Sequence, residues 1–469
     1  MATTQTDANG TDMAWLDSVA TRPGAKYVAI VDSLAEAILA GRLPMGERLP
    51  AHRELAQKLG VTVATVTKAF AELARQGYVV TRRGSGTYVT RPAVVAAGAQ
   101  ATASGPVDLA VNRPPSTIAA PFLKEALQEV AEGDMVDVFG YEAVGGAAAA
   151  RATGCAWLAE RGIEAAPDSV FLTAGGNQGL MAALSALCRP GERVVTEAVN
   201  YTGIRRMAHL LGIELMPVVT DGKGMVPEAL EAAAAASGAR VVLATPVTHN
   251  PTGVSMDGAR RSAIAEVVTR ADLLMVEDDI YGHLAAADAD TFYARLPSRT
   301  LHVTSLSKSI SSGLRVGWLA VPDALASAVR DALYGTEWTA PALPAAVAGR
   351  LIAAGAHREI IARHREEAEW RRTLALNLFG DLIDPMDSPS YHVWLRLDPT
   401  ERADAIHTEL LREGIAVSPA HHFVIGEAVP PNALRLSLGA VKERAELRTA
   451  LERVARRLAG ARTAIGAIA

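Results

Sequence analysis

The chain has 469 residues, of which 49% are hydrophobic and 21% are charged, and its formal net charge is −5. This composition is typical of a soluble α/β protein with two or three domains, and the only two cysteines, Cys155 and Cys188, argue against a disulfide-stapled secreted fold. No apolar run reaches the ~20 residues of a membrane span, and the polar start of the chain does not resemble a signal peptide. We therefore expect a cytoplasmic protein that makes no contact with a membrane.

Charge and composition divide the chain into segments. Residues 1–22 are predicted to be a flexible tail, and residues 93–106, rich in Ala, Gly, Ser and Thr, a linker. Between them, residues 23–92 carry ten basic and five acidic side chains, a net charge of +5, which leaves −10 for the rest. A basic domain on an acidic chain favours a polyanionic partner for that domain alone, although a solvated charged face is the simpler alternative.

The basic segment 23–92 has the pattern of three helices and a hairpin. Val31, Leu34, Ala35 and Ile38 recur at helical spacing, a second helix spans Arg53–Leu59, and a third begins near Thr62. Two short strands, Tyr78–Val80 and Thr87–Val89, flank a cationic glycine-rich tip at 82–86. This order predicts a winged helix-turn-helix, which places one helix in the major groove of DNA and the wing on its backbone.

Four motifs in this segment resemble the GntR family of winged-helix regulators. They are Gly41–Ala56, Gly60–Val66, Gly77–Val79 and Gly84–Val89. The resemblance implies double-stranded DNA as a partner, with contacts from Arg53, Thr62, Thr65, Arg83 and Gly84. We expect Lys68 and Arg82 to add phosphate contacts. Val63 and Thr67 stand where many members carry basic residues, and a winged helix retained only for packing or dimerisation is the alternative.

From residue 107 onward, short apolar runs alternate with helix-length amphipathic stretches. The runs are Ser169–Leu172, Arg193–Thr196, Arg240–Thr245, Asp272–Val276 and Leu301–Thr304. This alternation predicts βαβ units and therefore an α/β domain with a mainly parallel sheet between helices.

The sharpest chemical motif is Thr304-Ser-Leu-Ser-Lys308-Ser, followed by Gly313-Leu-Arg315. A lysine directly after an apolar strand is poorly placed for a solvated surface charge, and desolvation would free its amine to form an imine with an aldehyde. Ser305 and Arg315 would then bind a phosphate. A buried ion-pair lysine is the alternative.

Other polar groups follow the predicted strands. Asp278 ends one strand and can pair with a protonated pyridine nitrogen, while Tyr281 and Asn250 can reach a phenolate oxygen on the same ring. Acidic strand ends also bind metals, but no His or Cys cluster accompanies this one, so we expect no metal. Gly175, Gly176 and Asn177 open a helix in a turn suited to a phosphate, and Tyr201 is a candidate to stack on the ring.

These blocks, in this order, resemble the fold-type-I aminotransferases, and the whole chain resembles the MocR-type regulators, which join a GntR-like domain to an aminotransferase-like domain. The resemblance implies pyridoxal 5′-phosphate (PLP) as the cofactor, a smaller C-terminal subdomain at about 340–469, and a homodimer. It assigns Lys308 as the Schiff-base lysine and Arg435 as the clamp for a substrate carboxylate. Tyr141 matches a tyrosine lent to the neighbouring subunit's phosphate, and Arg151 a structural arginine. Val199 and His249 depart from the usual Pro and Gln.

Three functions are compatible with these motifs. The first is a transcriptional regulator that senses an amino acid or amine as an external aldimine of PLP. The second is a working aminotransferase that uses an amino-acid donor and a 2-oxo acid acceptor, with a vestigial or autoregulatory winged helix. The third is a structural DNA-binding dimer that no longer binds PLP, against which the intact Lys308, Asp278 and Arg315 set argues. The basic N-terminal domain, which transamination does not need, favours the first.

Overall fold

The computed structural model describes residues 15–21, 26–39, 42–43, 46–75, 78–82, 86–90, 107–133, 135–285, 290–336, 340–386, 388–426 and 428–466. The chain divides into two compact units, residues 1–104 and residues 105–469. The predicted linker, residues 93–106, lies outside the described residues. Within the described ranges, no helix is both long enough and apolar enough to cross a membrane.

The first unit contains four helices and a two-stranded hairpin among its described residues. They are α1 (Trp15–Thr21), α2 (Lys26–Leu39), α3 (His52–Leu59), α4 (Val63–Arg75), β1 (Val79–Arg82) and β2 (Gly86–Val89). Apolar side chains from all the helices and both strands form one core, in which Leu34, Leu55, Phe70 and Leu73 are buried. The predicted winged helix-turn-helix is therefore confirmed.

The structure corrects the prediction of a flexible tail over residues 1–22 at residues 15–21, whereas residues 1–14 and 22 lie outside the described residues. Residues Trp15–Thr21 form the helix α1, and Trp15 and Val19 are both 2% exposed in the core of the first unit. The two side chains are one helical turn apart and thus point the same way. An isolated aromatic and an isolated valine, four residues apart in a polar stretch, form a signal too short for the sequence to reveal.

The second unit contains the remaining elements. Its described helices are α5 (Ala120–Glu132), α6 (Val136–Phe139), α7 (Ala148–Ala159), α8 (Gly176–Leu187), α9 (Thr202–Leu211), α10 (Pro227–Ser237), α11 (Gly258–Arg270), α12 (Phe292–Arg295), α13 (Ala326–Tyr334), α14 (Ala342–Ala353), α15 (Ala356–Phe379), α16 (Ala403–Arg412) and α17 (Arg444–Gly466). Its described strands are β3 (Val107–Asp108), β4 (Val170–Thr173), β5 (Arg193–Glu197), β6 (Glu214–Val218), β7 (Thr220–Asp221), β8 (Gly224–Met225), β9 (Val241–Ala244), β10 (Leu274–Asp278), β11 (Thr300–Ser305), β12 (Gly317–Ala320), β13 (His392–Arg396), β14 (Ile415–Ala416), β15 (Ser418–Pro419) and β16 (Ala433–Ser437).

A seven-stranded sheet with the order β4-β12-β11-β10-β9-β5-β6 forms the centre of the second unit. Its strands are parallel except β12, which runs antiparallel to both neighbours. The residues of β4, β9, β11 and β12 are buried throughout, as expected when helices cover both faces of a parallel sheet. The predicted mainly parallel sheet is confirmed.

A smaller C-terminal subdomain has its own antiparallel sheet, with the order β13-β16-β15. Helices α15, α16 and α17 pack with it around a separate apolar core that includes Leu109. Strand β3 pairs with β14, so the first described residues after the predicted linker belong to this subdomain. The residues that follow β3, 109–112, lead to the carboxyl edge of the large sheet.

Candidate functional site

The amine of Lys308 lies in the turn after β11, at the carboxyl edge of the large sheet. Its Nζ donates a hydrogen bond to the backbone oxygen of Asn112 at 2.5 Å and lies 5.7 Å from the centre of the Tyr281 ring. Burial, with a smaller contribution from the charge of Arg435, lowers the pKa of this amine to about 8. A fraction of Lys308 is therefore an uncharged nucleophile at neutral pH.

Asp278 is the last residue of β10 and is 2% exposed. Its carboxylate accepts a hydrogen bond from the backbone N–H of Ile280 at 3.4 Å. Burial raises the pKa of Asp278 to about 7, and the nearby Asp279 and Glu197 act in the same direction. A cationic group beside Asp278 would favour its charged form, so the carboxylate is suited to a protonated ring nitrogen.

Arg435, on β16, is a residue of the small subdomain that contacts this site. Its Nη1 donates to Asn250 Oδ1 at 2.8 Å, its Nη2 donates to the backbone oxygen of Ala110, and its guanidinium lies 4.7 Å from the centre of the Phe423 ring. Burial lowers the pKa of Arg435 to about 10, and its Nε atom is buried without a hydrogen-bond partner. An unpaired buried donor of this kind is suited to a carboxylate ligand.

A glycine turn between β4 and α8 forms the opposite side of the site. Gly175 has φ 88°, and a Cβ atom there would lie 2.9 Å from Nη2 of Arg315. Arg315 itself donates to the backbone oxygen of Ala174 at 3.0 Å and reaches the hydroxyl of Ser307 at 3.4 Å. The turn and the guanidinium thus lie side by side at a helix N-terminus, where an anion is stabilised.

The hydroxyl of Ser307 is a member of this group that the sequence reasoning missed. It lies 2.9 Å from Ser305 Oγ, whose single hydroxyl proton can be donated either to Ser307 Oγ or to the backbone oxygen of Val316 at 3.1 Å. Ser307 stands inside the lysine motif, so its position beside Lys308 was the available signal. The other predicted members are also here: Gly176 opens α8, and the side chain of Asn177 in its first turn is exposed.

Tyr201 precedes α9, and its backbone N–H donates to Asn200 Oδ1 at 2.6 Å. A Cβ at Gly203 would lie 2.2 Å from Cε1 of Tyr201, so the glycine makes room for the ring. Val199, where a proline is usual, instead forms a β-bridge with Val424 of the small subdomain. This bridge joins the segment just before Tyr201 to the small subdomain.

Tyr141, in the segment after α6, is 97% exposed. Arg151, in α7, donates from Nη1 to the backbone oxygen of Gly146 at 2.9 Å and reaches Asp168 at 3.4 Å. Through its bond to Gly146, Arg151 therefore connects α7 to the segment that follows Tyr141.

In the first unit, the predicted DNA contacts lie on α3 and α4. Arg53 and Thr62 are exposed, and the Thr62 hydroxyl bonds Thr65 Oγ1 at 2.8 Å and accepts from the Thr65 backbone N–H at 3.2 Å. The Nζ of Lys68 lies 4.1 Å from the centre of the Tyr27 ring. Arg82 ends β1; Arg83 and Gly84 lie outside the described residues.

Two further residues at the lysine site were not found from the sequence. Asn112 donates from Nδ2 to the hydroxyl of Tyr281 at 3.0 Å and lies 2.9 Å from Nδ1 of His392. Their positions are 169 and 280 residues from Asn112 along the chain. No local pattern marks either residue, so only the fold reveals them.

The donor set of this site fits PLP. An amine, a buried carboxylate, two hydrogen-bonding groups and an anion cradle are grouped around one space, and a Cβ at Gly175 would intrude on the cradle. Among the described residues, no group of three or more His, Cys, Asp or Glu side chains is arranged to hold a metal ion.

Comparison with known proteins agrees with this geometry. Residues 104–454 match the family described as aminotransferase class I and II, and residues 26–89 match bacterial regulatory proteins of the gntR family. The chain is 29% identical to the uncharacterized HTH-type transcriptional regulator YdeF of Bacillus subtilis (strain 168), over 94% of this chain and 96% of that protein. It is 27% identical to the vitamin B6 salvage pathway transcriptional repressor PtsJ of Salmonella typhimurium, over 88% and 94%. Among solved structures, α-aminoadipate aminotransferase LysN of Thermus thermophilus, complexed with N-(5′-phosphopyridoxyl)-L-leucine, superposes with a TM-score of 0.69 at 22% identity, over 78% of this chain and 96% of that one.

Replacing Gly175 by alanine tests the anion cradle. The new Cβ would push on Arg315 and strain a backbone with positive φ, so we expect Gly175→Ala to weaken PLP binding by about tenfold or more, because a charge-assisted hydrogen bond to the phosphate would be weakened. The measurement is the dissociation constant of PLP by equilibrium dialysis. Gly191→Ala is the matched control, because Gly191 also has φ 88° but would place its Cβ in open space. Equal PLP affinity in the two variants would contradict the assignment of the cradle.

Proposed function

The chain belongs to the class I and II aminotransferase family and carries a gntR-family DNA-binding domain, and we propose that this PLP-dependent transcriptional regulator changes its binding to DNA when an amino acid or amine enters the Lys308 site. The observation that carries the proposal is the half-buried Lys308, whose amine donates to the Asn112 backbone oxygen and has its pKa lowered to about 8, in a chain that also has a winged helix. A bound PLP supplies an aldehyde that reacts with amines and a ring that withdraws electrons.

The side chains around Lys308 would each hold one part of the cofactor. Lys308 would provide the amine that attaches it, and Asp278 would hold the proton on the pyridine nitrogen. Tyr281 and Asn250 would bind the ring's phenolate oxygen, and Tyr201 would stack on the ring. The phosphate would be held by the cradle residues Gly175, Gly176, Asn177, Ser305, Ser307 and Arg315.

Arg435 selects the class of effector. Its buried, partly unpaired guanidinium favours a carboxylate, so we propose an α-amino acid in preference to a simple amine. A carboxylate at Arg435 would compete with two present acceptors, Asn250 Oδ1 and the Ala110 backbone oxygen. Binding is thereby transmitted to the Ala110–Asn112 segment, which continues from β3.

That segment gives the site a route toward the DNA-binding domain. Two groups of the site, the amine of Lys308 that would attach PLP and the guanidinium of Arg435 that would bind a carboxylate, donate to its backbone oxygens, those of Asn112 and Ala110. The chain leads from this segment through β3 to residues 91–106 and the winged helix. Attachment of PLP to Lys308 would release the first bond, and an effector carboxylate at Arg435 would compete for the second. Both events would alter the segment to which the DNA-binding domain is joined, and such a difference in contacts can shift an equilibrium between two arrangements.

We also propose a homodimer. The 97% exposed Tyr141, with the exposed Val136 and Phe139 just before it, presents an apolar surface suited to a second subunit. Two DNA-binding domains would then read two half-sites, with phosphate contacts from Arg53, Lys68, Arg82 and Arg83, and contacts from Thr62, Thr65 and Gly84.

A second candidate function is aminotransferase activity. The observation that favours it is that Lys308, with a pKa of about 8, can take up and release a proton near neutral pH, as a general base and acid must. Regulation and slow turnover are compatible in one site.

The pH dependence of PLP attachment tests the role of Lys308. Attachment needs the free amine, so the rate should be maximal above about pH 8 and fall about tenfold for each pH unit below it, because the protonated form is unreactive. The measurement is the growth of the visible absorbance of bound PLP after mixing with apoprotein. Lys308→Ala should show no such band, whereas Lys223→Ala, which removes an exposed lysine, should retain it. A midpoint near 10.5, the ordinary lysine value, would contradict the assignment.

Binding to the DNA upstream of the protein's own coding region tests the regulator. We expect tighter binding than to a scrambled duplex, and a change in affinity when one of a panel of amino acids is added. Arg53→Ala and Lys68→Ala should each weaken binding and lower the slope of log affinity against log salt by about 0.9 for each phosphate that is no longer neutralised, without altering the PLP absorbance. The measurement is fluorescence anisotropy at several salt concentrations.

Lys58→Ala is the matched control for this experiment, because Lys58 lies on α3 but is paired with Glu54 at 3.0 Å and should alter the slope less. Binding no tighter than to scrambled DNA under every condition would favour the aminotransferase instead.

A further inference from the structure

We propose that Asn112 is a positioning residue of the site: oriented by His392, its side-chain amide makes the Tyr281 oxygen an acceptor and leaves the Tyr281 proton free to be donated to the cofactor. This inference rests on the proposed function, because it concerns the same PLP site. It assigns a role to two residues, Asn112 and His392, that the cofactor-binding motifs do not include.

The position of the proton on the His392 ring decides which ring nitrogen can accept a hydrogen bond. Its Nε2 lies 3.2 Å from the backbone oxygen of His249, an atom that can only accept a hydrogen bond. Nε2 therefore carries a proton. Burial, and then the charge of Arg435, lowers the pKa of His392 to about 3, so the ring is neutral and its Nδ1 has no proton. The Ser390 hydroxyl lies 3.0 Å from the His392 backbone oxygen and 3.1 Å from Nδ1, and it can donate its proton to either of these acceptors.

The second step is the orientation of the Asn112 amide. Because His392 Nδ1 is an acceptor, the Asn112 atom that lies 2.9 Å from it must be the nitrogen. The reverse orientation would bring two acceptors together. The second N–H of the same group then reaches the Tyr281 oxygen at 3.0 Å, while Asn112 Oδ1 is buried and has no hydrogen-bond partner.

The third step concerns the Tyr281 hydroxyl. Its oxygen accepts from Asn112, and the Asn250 side chain also bonds it. Since Asn250 Oδ1 accepts from Arg435, it is the Asn250 nitrogen that faces Tyr281. Two donors thus occupy the Tyr281 oxygen. Burial raises the pKa of Tyr281 above its ordinary value, so the hydroxyl keeps its proton and can donate it to an anionic ring oxygen.

Several charged groups around Tyr281 also affect its pKa and must stay the same in any pH measurement. Arg435 lowers the pKa of Tyr281, whereas Asp278 and Tyr201 raise it, and the Lys308 amine lies over the ring. Asn112→Ala adds no charge to this set, so its effect reports on the hydrogen bond, whereas the charge that Asn112→Asp adds is separated from it by the double variant below.

The experiment compares the pH midpoint of the visible absorbance of bound PLP in the full-length protein and its variants. A hydrogen bond donated by Tyr281 stabilises the deprotonated ring oxygen of PLP and therefore lowers the pH midpoint. Loss of this hydrogen bond should raise the midpoint. We expect Tyr281→Phe and Asn112→Asp each to raise the midpoint by about one pH unit, and Asn112→Ala to raise it by less. Asn112→Asp is nearly isosteric but offers only acceptors, so it draws the Tyr281 proton toward itself.

The double variant Asn112→Asp/Tyr281→Phe distinguishes an effect of Asn112 that acts through Tyr281 from an effect of charge or packing. If Asn112 acts through Tyr281, the midpoint of the double variant should equal that of Tyr281→Phe, and Asn112→Ala should likewise have no effect in the Tyr281→Phe background. A shift of equal size in both backgrounds would show an effect of charge or packing and overturn the proposal, as would unchanged midpoints in the Asn112 variants.

Two controls separate this inference from the proposed function. Asn432→Ala removes an amide that bonds the backbone oxygens of Asp398 and Glu401, away from Tyr281, and should leave the midpoint unchanged. Absence of a PLP band in the unmodified protein would refute the PLP site itself. A normal band with an unaltered Asn112→Asp midpoint would refute only the role of Asn112.

Discussion

The site depends on one constraint, the parallel alignment of the strands whose carboxyl ends meet at one edge of the central sheet. Strands β4, β9, β10 and β11 all end there, and the Gly175 turn, Asn250, Asp278 and Lys308 follow them in that order. Residues more than 100 positions apart are thereby held within one space. Groups that would be solvated elsewhere are buried together, and burial is the leading cause of the altered pKa values of Lys308, Asp278 and Arg435.

The small subdomain contributes further side chains to the site. Arg435 binds Asn250, and His392 binds Asn112, so the carboxylate-binding group and the orienting histidine both come from the antiparallel sheet that lies beside the large one. The Ala110–Asn112 segment lies between the two parts and accepts bonds from Lys308 and Arg435. One short segment therefore responds to attachment of a cofactor and to arrival of a carboxylate, and it is continuous with the chain that leads to the DNA-binding unit.

The sequence predicted the parts of this arrangement that are local. The lysine motif, the glycine turn and the strand-end aspartate each join a strand pattern to a chemically distinctive residue, and the winged helix has regular helical spacing. Asn112 and His392 could not be predicted, because their roles come from contacts with residues distant in the chain. Helix α1 was missed because Trp15 and Val19 stabilise it only through the core they enter. The roles predicted for the site residues toward PLP, an effector, a second subunit and DNA, those of Tyr141, Arg83 and Gly84 among them, stay predictions.

The central claim is that the PLP site and the DNA-binding domain are energetically coupled. The most direct measurement is titration of the PLP-bound protein with its amino acid, followed by the visible absorbance, with and without saturating specific DNA. Coupling is reciprocal, so DNA should change the amino-acid affinity by the same factor by which the amino acid changes the DNA affinity, about 5- to 150-fold for typical coupled sites. Identical amino-acid affinities with and without bound DNA would contradict the account and leave the two domains as independent binding modules.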